Sequence, residues 1–343
     1  MGVALGDLLT KEKISVNVLA GRKIAVDAYN TLYQFLSTIR QPDGTPLMDS
    51  RGRVTSHLTG LLYRTAKLIE FGLVPAFVFD GVAPEQKERT IAERRTVRSA
   101  AEKKWKDALE KGEIEEARKH AQAALKLTPG MVEDAKKLLD AMGLPYVQAP
   151  SEGEAQAAYI TEQDEVWASA SQDYDSLLFG SPVLIRNLTI TGRRKLPGKS
   201  IYVNVEPEVI KLQQVLEENS ITKEQLVEIG ILIGTDYNEG VKGVGPKTAL
   251  KEIKEGKSLE EIYKEHKSEP EFDLQELKDI FLKPDITKDY KLEWRKADKD
   301  KMTELLVKEH DFSSERVEKV FEKLQSAEEE QKQSQSRLDT WVK

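Results

Sequence analysis

Seven carboxylates carry the chemistry in this chain. Asp27, Asp80 and the pair Asp173 and Asp175 each close or shortly follow an apolar run: Lys23-Ile-Ala-Val26, Val74-Pro-Ala-Phe-Val-Phe79 and Val166-Trp-Ala-Ser-Ala170. A single Asp in such a place is an ordinary turn former or helix cap; four behind three runs call for another reason. Ser151-Glu152-Gly-Glu154 adds two acids, although Ser151 and Glu154 also match the S-x-x-E box that opens a helix. Acids two apart do not share a face within a helix, but in its first turn both can approach a site lying off the helix end. Asp236, in Ile233-Gly-Thr-Asp-Tyr237, follows a helical run and is the seventh. Held together, such groups cannot all stay ionised without cations, because like charges raise one another's pKa. Oxygen donors with no Cys or His beside them suit Mg2+ or Mn2+. Two such ions about 4 Å apart can activate a water and stabilise a leaving phosphodiester oxygen.

The elements that must position these acids follow from pattern. The three runs read as buried strands, Val183-Leu-Ile-Arg186 as a further one, and helical periodicity fills Ser56–Phe71 and Pro129–Met142. Strands alternating with helices predict an α/β domain with a largely parallel sheet flanked by helices. Ligands of open parallel sheets bind beyond the carboxyl ends of the strands, where the acids fall. From Val82 to Leu127 the composition turns to Lys, Arg, Glu and Ala, which predicts a long helical insertion. After Glu206 the chain reads as mostly helical to Leu324, and Ser326–Ser336, rich in Glu, Gln and Ser, as a flexible tail.

Composition sets limits. The 343 residues include 39% hydrophobic ones, enough for a core, and 59 acidic against 52 basic residues, for a net charge of -7. The absence of cysteine excludes disulfides, thiolate zinc sites and Cys nucleophiles and points to a reducing compartment. Four His without an H-E-x-x-H pattern leave no basis for a His-rich zinc site. No run approaches the roughly 18 apolar residues of a membrane span, and Met1–Asp7 lacks the basic and apolar parts of a leader, so the expectation is a soluble intracellular protein. The acidic balance argues against non-specific nucleic-acid binding, unless the acids are gathered around metal.

Two further patterns admit two readings each. Gly243-Val-Gly245-Pro246-Lys247-Thr-Ala misses the P-loop pattern, because Pro246 stands where Lys is required. Opening a helix, it is a plain turn or a phosphate cradle of backbone amides. Lys87, Arg94 and Arg98, spaced by seven and four, share a helix face with Arg89 and Arg95 beside it; they are a solvated face or a basic gate over a metal site.

Ala25-Val-Asp27-Ala, Phe77-Val-Phe-Asp80-Gly, Pro150-Ser-Glu152-Gly-Glu154-Ala-Gln-Ala, Ser171-Gln-Asp173-Tyr-Asp175-Ser-Leu-Leu-Phe-Gly and Gly234-Thr-Asp236-Tyr-Asn together resemble the flap endonuclease family of structure-specific 5′ nucleases. The resemblance implies a PIN-like α/β nuclease fold with a helical arch insertion and a helix-hairpin-helix-like element. It divides the chain into a nuclease region over 1–81, the arch over 82–128, a second nuclease region over 129–325 with the hairpin element near 224–254, and a tail over 326–343. It implies two Mg2+ ions, replaceable by Mn2+, on Asp27, Asp80, Glu152, Glu154, Asp173, Asp175 and Asp236. Lys87 and Arg94 would face the scissile phosphate. Tyr33 would stack a terminal base, although the residue also reads as a core tyrosine. Arg40 and Thr55 bound the Pro42- and Gly44-containing loop where the family receives a 3′ flap. Gly234, Asp236, Lys242, Gly243, Gly245 and Lys247 would hold the duplex backbone, with K+ in the hairpin element. Gln335-Ser-Arg-Leu338-Asp-Thr-Trp341-Val342 is similar to the peptide that docks on a PCNA-type sliding clamp, with a Val after Trp341 in place of a second aromatic. The activity implied is cleavage of 5′ flaps on branched DNA in Okazaki fragment maturation and long-patch base excision repair, with accompanying 5′-3′ exonuclease action. The expected protein is a monomer, cytoplasmic and nucleoid-associated. The rivals are an end-directed exonuclease, a bubble-cutting repair nuclease and a non-catalytic clamp-bound scaffold.

Overall fold

A computed structural model describes residues 2–41, 43–190, 192–195 and 202–341. Nine strands appear among them: β1 (Glu12–Lys13), β2 (Lys23–Asp27), β3 (Val74–Phe79), β4 (Tyr146–Gln148), β5 (Ala168–Ala170), β6 (Val183–Arg186), β7 (Gly192–Lys195), β8 (Tyr202–Val205) and β9 (Glu208–Lys211). Seven form one sheet in the order β1-β9-β6-β5-β2-β3-β4, and β7 pairs β8 as a separate hairpin. The five strands β4-β3-β2-β5-β6 are parallel. The α/β reading therefore holds, with an antiparallel margin that it lacked: β9 pairs β6, and β1 pairs β9. The chain after Glu206 is mostly helical, as expected, but it begins with a strand, because Val209 and Ile210 are β-branched and bury into the sheet between β1 and β6.

Alternation along the strands feeds two cores. Ile24, Val26, Phe77 and Phe79 face one cluster, while Ala25, Val78 and Val147 face another. The first cluster is covered by α1 (Ala28–Thr38), α2 (Ser56–Glu70) and, further along the chain, the helix Pro129–Ala141. At Gly60 the two covering helices touch. A Cβ there would lie 2.2 Å from Cγ of Phe35, so α2 approaches α1 only because position 60 has no side chain. Between β3 and the helix Pro129–Ala141 the chain leaves the sheet as α3 (Glu88–Glu110) and α4 (Ile114–Ala123), joined face to face through Ala101, Ala108, Ala117 and Ala121. The helix Pro129–Ala141 is α5, capped by the Thr128 hydroxyl and started by Pro129.

The opposite face is packed by α6 (Gly153–Glu162), α7 (Asp175–Leu178), α8 (Leu212–Asn219), α9 (Lys223–Ile233) and α10 (Pro246–Lys254). Residues 283–298 have no regular structure, a second departure from the helical expectation. They are held instead by cross-chain bonds: Trp294 Nε1 donates to the Pro75 carbonyl, and the Gln156 amide exchanges two bonds with Thr287. The stretch expected as a flexible tail is also different: Ser314–Trp341 is one helix. Val317, Val320, Leu324 and Ala327 fix its first turns to the core, and the Glu- and Gln-rich composition beyond them favours continued helix. Among the described residues, no helix is long and apolar enough to cross a membrane.

The Gly60 contact yields a direct test of packing. Gly60→Ala should destabilise the protein by about 1–3 kcal/mol through overpacking, read as a lower denaturant midpoint with an unchanged slope. A midpoint equal to the parent's would contradict the close approach of α1 and α2.

Candidate active site

The strand order places the site. From β2 the chain winds outward through β3 and β4, then returns to add β5 and β6 on the other side of β2. The crevice between the carboxyl ends of β2 and β5 is therefore the switch point of the sheet, the position where such folds bind ligands. Asp27 is the last residue of β2, Asp80 follows β3, and Asp173 and Asp175 follow β5.

Helix N-termini offset part of the repulsion among these acids, since their free amides favour negative charge. Asp27 caps α1 and accepts from the Asn30 amide at 3.0 Å. Asp175 opens α7. Asp80 Oδ1 accepts from the Gly153 amide at 2.8 Å, at the start of α6. That contact replaces the capping box expected of Ser151 and Glu154, because the cap position is Glu152 and its side chain makes no capping bond. A Cβ on Gly153 would meet Asp80 Oδ1 at 2.6 Å, so the glycine is what admits the carboxylate. Glu154 instead accepts from the Ser176 hydroxyl at 3.0 Å.

Other donors complete the cluster. The Gly2 amide donates to Asp173 Oδ1 at 3.0 Å and the Val3 amide to Asp175 Oδ1 at 2.6 Å. Asn30 Nδ2 donates to Asp173 Oδ2 at 2.9 Å, and the Ser171 hydroxyl to Asp27 Oδ2 at 3.2 Å. Cations come from the turn before α3 and from α3 itself. Lys87 Nζ lies 2.7 Å from Glu152 Oε2 and 3.6 Å from Asp236 Oδ2, and Arg94 Nη2 lies 2.6 Å from Asp236 Oδ1. The seven expected acids thus share one neighbourhood. Asp80 and Asp173 act on Asp27, Glu152 on Asp80, Asp175, Asp27 and Asp173 on Glu154, and Asp236 on Asp175, while Lys87 bridges Glu152 and Asp236.

Burial dominates their electrostatics. Asp27 is pushed up to about 8 by burial and then by Asp80. Asp80 rises to about 6 through burial and Glu152, and Asp175 to about 7 through burial, with Asp236 and Asp173 adding to it. Glu154 is also well above the carboxylate range, from burial and then Asp175 and Asp27. Burial works against the Lys87 ammonium, yet Glu152, Asp236 and Asp80 hold it above the ordinary lysine range. Among the described residues no three acidic or histidine side chains are set to grip an ion as they stand, since donors of the chain already engage their oxygens. The donor set nevertheless fits hard divalent ions: it is all oxygen, and too buried to ionise fully without added positive charge.

The remaining expected residues are placed unevenly. Tyr33 is half-buried and lies under the Arg98 guanidinium, 5.4 Å from ring centroid to Cζ, outside the core clusters. Arg40 is tied into its own loop, donating to the Leu36 carbonyl at 2.8 Å and the Gly44 carbonyl at 2.5 Å, and Thr55 is buried. Pro42 lies outside the described residues. Gly234 and Gly243 have φ of +94° and +86°, Gly245 caps α10, and Lys242 and Lys247 are exposed. Gln335, Leu338 and Trp341 lie on the backbone of the C-terminal helix, and Val342 is outside the described residues. Gly2, Val3, Asn30 and Ser171 were not expected. Asn30, three residues after a strand-end Asp, carried a usable signal, whereas nothing in the sequence marks the first residues as partners of Asp173 and Asp175.

Known proteins resemble this chain along nearly its whole length. The profile described as the XPG N-terminal domain matches residues 1–101, and that described as the XPG I-region matches residues 143–236. The chain is 54% identical over 342 residues to flap endonuclease 1 of Thermococcus onnurineus, covering 99% of each. It is 54% identical over 344 residues to flap endonuclease 1 of Pyrococcus furiosus, covering 100% of each. The solved flap endonuclease-1 from Methanococcus jannaschii superposes with a TM-score of 0.75 at 43% identity, covering 95% of this chain and 98% of that one.

The raised carboxylates fix a pH dependence. A group whose folded pKa lies above its unfolded value holds its proton longer in the folded state, so its contribution to stability is lost as pH rises through the folded value. In EDTA the melting temperature should therefore fall between about pH 5 and pH 8, the span set by Asp80, Asp175 and Asp27. Asp27→Asn should flatten the fall and raise the melting temperature near pH 8. A flat parent profile would contradict the burial of these charges.

Proposed function

This chain belongs to the flap endonuclease family and is a structure-specific 5′ flap endonuclease, and we propose that it hydrolyses DNA with two divalent ions held by Asp27, Asp80, Glu152, Glu154, Asp173, Asp175 and Asp236. The supporting observation is the buried, oxygen-only carboxylate cluster at the switch point, with Lys87 and Arg94 reaching into it. Mg2+ fits this donor set, and Mn2+ can replace it. When bound, such ions neutralise the phosphate and activate the attacking water.

The chain's own residues supply the rest. Lys87 and Arg94 carry positive charge at the acid cluster, where an entering phosphate would compete for it. Their donors then stabilise the charge that develops on the phosphate oxygens. The ring of Tyr33 offers a stacking surface for a base. The open amides at the start of α10, with Lys242 and Lys247, hold a phosphate of the duplex, and a K+ held in the hairpin element would add positive charge to that contact. Arg40 and Thr55 shape the 3′-flap loop from within. Gln335, Leu338, Trp341 and Val342 dock the C-terminal segment on a sliding clamp. We retain the division into 1–81, 82–128, 129–325 and 326–343 as part of this reading. The chain acts as a monomer in flap removal during replication and long-patch base excision repair. The high identity to flap endonucleases along nearly the whole chain favours this over an end-directed or bubble-cutting preference.

Single-turnover cleavage of a 5′ flap tests the assignment. Asp173→Asn keeps the side chain's size and removes a charge that a hard cation requires, so cleavage should collapse while flap binding in Ca2+ stays within about tenfold. Lys87→Ala should lose on the order of 10²–10³ in rate, as for a donor to developing charge. Near-parent rates in both variants would sink the proposal.

A further inference from the structure

Tyr174 stands between Asp173 and Asp175, and its side chain is held in a clamp of its own. Arg186, the last residue of β6, holds it. The guanidinium carbon lies 4.1 Å from the Tyr174 ring centroid. Nε donates to the Gln172 carbonyl at 3.0 Å, and Nη1 bonds the Tyr174 hydroxyl. Nη1 also faces Glu208 Oε2 at 3.5 Å, from the residue that pairs with Arg186 in the β6–β9 register. Lys11 Nζ also lies over the ring, 5.3 Å from its centroid.

These contacts act on a segment with little backbone support. After β5 the chain makes one bond to the neighbouring strand, from the Ser171 amide to the Ile185 carbonyl at 3.2 Å, and then leaves the ladder. Residues 172 and 173 are then held through side chains, the Asp173 amide donating to the Ser171 hydroxyl at 3.3 Å, until the Tyr174 carbonyl accepts from the Leu177 amide at 2.9 Å and α7 begins. Asp173 lies within this short segment and Asp175 directly follows it. A guanidinium can stack on a ring while donating in two directions within its plane; an ammonium cannot. Arg186 touches neither carboxylate.

We propose that Arg186 is a positioning residue for the nuclease reaction: by fixing Gln172 and Tyr174 it sets the placement in which Asp173 and Asp175 meet a divalent ion. The inference rests on the divalent-ion reading above and goes beyond it in naming what aims two of the ligands. Outer partners of metal ligands commonly govern affinity or activity by about 10–100-fold. A small misplacement of reacting groups costs rate in the same range.

The test compares the parent with Arg186→Ala, Arg186→Lys and Tyr174→Phe. Mn2+ affinity is measured by calorimetry without DNA, single-turnover flap cleavage is measured against Mg2+, and flap binding is measured in Ca2+. Arg186→Ala should bind Mn2+ about tenfold more weakly, need more Mg2+ for half-maximal rate, and cleave about 10–100-fold more slowly. Its flap affinity should stay within about threefold of the parent's, because no phosphate contact is removed. Arg186→Lys should recover little, since it lacks the planar fork. Tyr174→Phe keeps the ring and loses one bond, so it should move the same readings by less, and it serves if the alanine variant does not fold. Unchanged Mn2+ affinity and Mg2+ dependence in a folded variant would overturn the proposal. Weakened flap binding alone would do so too, making Arg186 a DNA contact. A parent that binds no Mn2+ would bring down the metal reading, whereas a parent that binds it with Arg186→Ala unchanged would bring down this inference alone.

Discussion

Like charges have been taken out of water side by side at the ends of three adjacent parallel strands, β5, β2 and β3, and much of the structure answers that cost. Asp27 and Asp175 are almost fully buried, Asp80 raises Asp27 further, and Glu152 raises Asp80. Three helices begin at the cluster, so that free amides rather than carbonyls face it. The N-terminal segment returns across the molecule to give two more amides, which leaves no room for a side chain on Gly2: a Cβ there would lie 2.6 Å from Cβ of Asp173. Lys87 and Arg94 add full positive charges from outside the sheet.

An acidic site for an acidic substrate follows from the same constraint. The cluster attracts cations strongly enough to hold Lys87 above the ordinary lysine range. Those two side chains sit on α3 and the turn before it, which form no part of the sheet. α3 is tied down at further points: the Thr90 hydroxyl donates to the Asp236 carbonyl at 2.8 Å, and Arg89 pairs with Glu239, in the same loop after α9, and with Glu271 further along the chain. Charge at the reaction centre and placement of the helical insertion are thus one problem.

How much of this was legible depended on the range of the interaction. The strand-end acids could be read because strand, turn and acid are contiguous in the chain. The capping box at Ser151 failed because a distant group won: Asp80 reaches the Gly153 amide from 73 residues away. Asn30 and Arg186 act on partners far along the chain or through ring stacking, for which no short pattern exists. β9 was missed because two β-branched residues between charged ones pass for part of the helical stretch that follows until a strand edge is there to receive them. The segment after Leu324 was misread from composition, since Glu and Gln serve a helix anchored at one end as well as they serve disorder. Arg40 and Thr55 were found as positions but not in their local role, because only the folded loop shows the Arg40 guanidinium spent on the Leu36 and Gly44 carbonyls and Thr55 buried.

Proton release on metal binding tests the central claim most directly. Mg2+ or Mn2+ is titrated into the protein by calorimetry near pH 7 in buffers of different ionisation enthalpy, which counts the protons expelled. With Asp27 held near 8 and Asp175 near 7, binding should release about one proton or more per protein, falling toward zero by about pH 9. Metal binding with no proton release at pH 7 would mean that the carboxylates were already ionised, and would contradict the account.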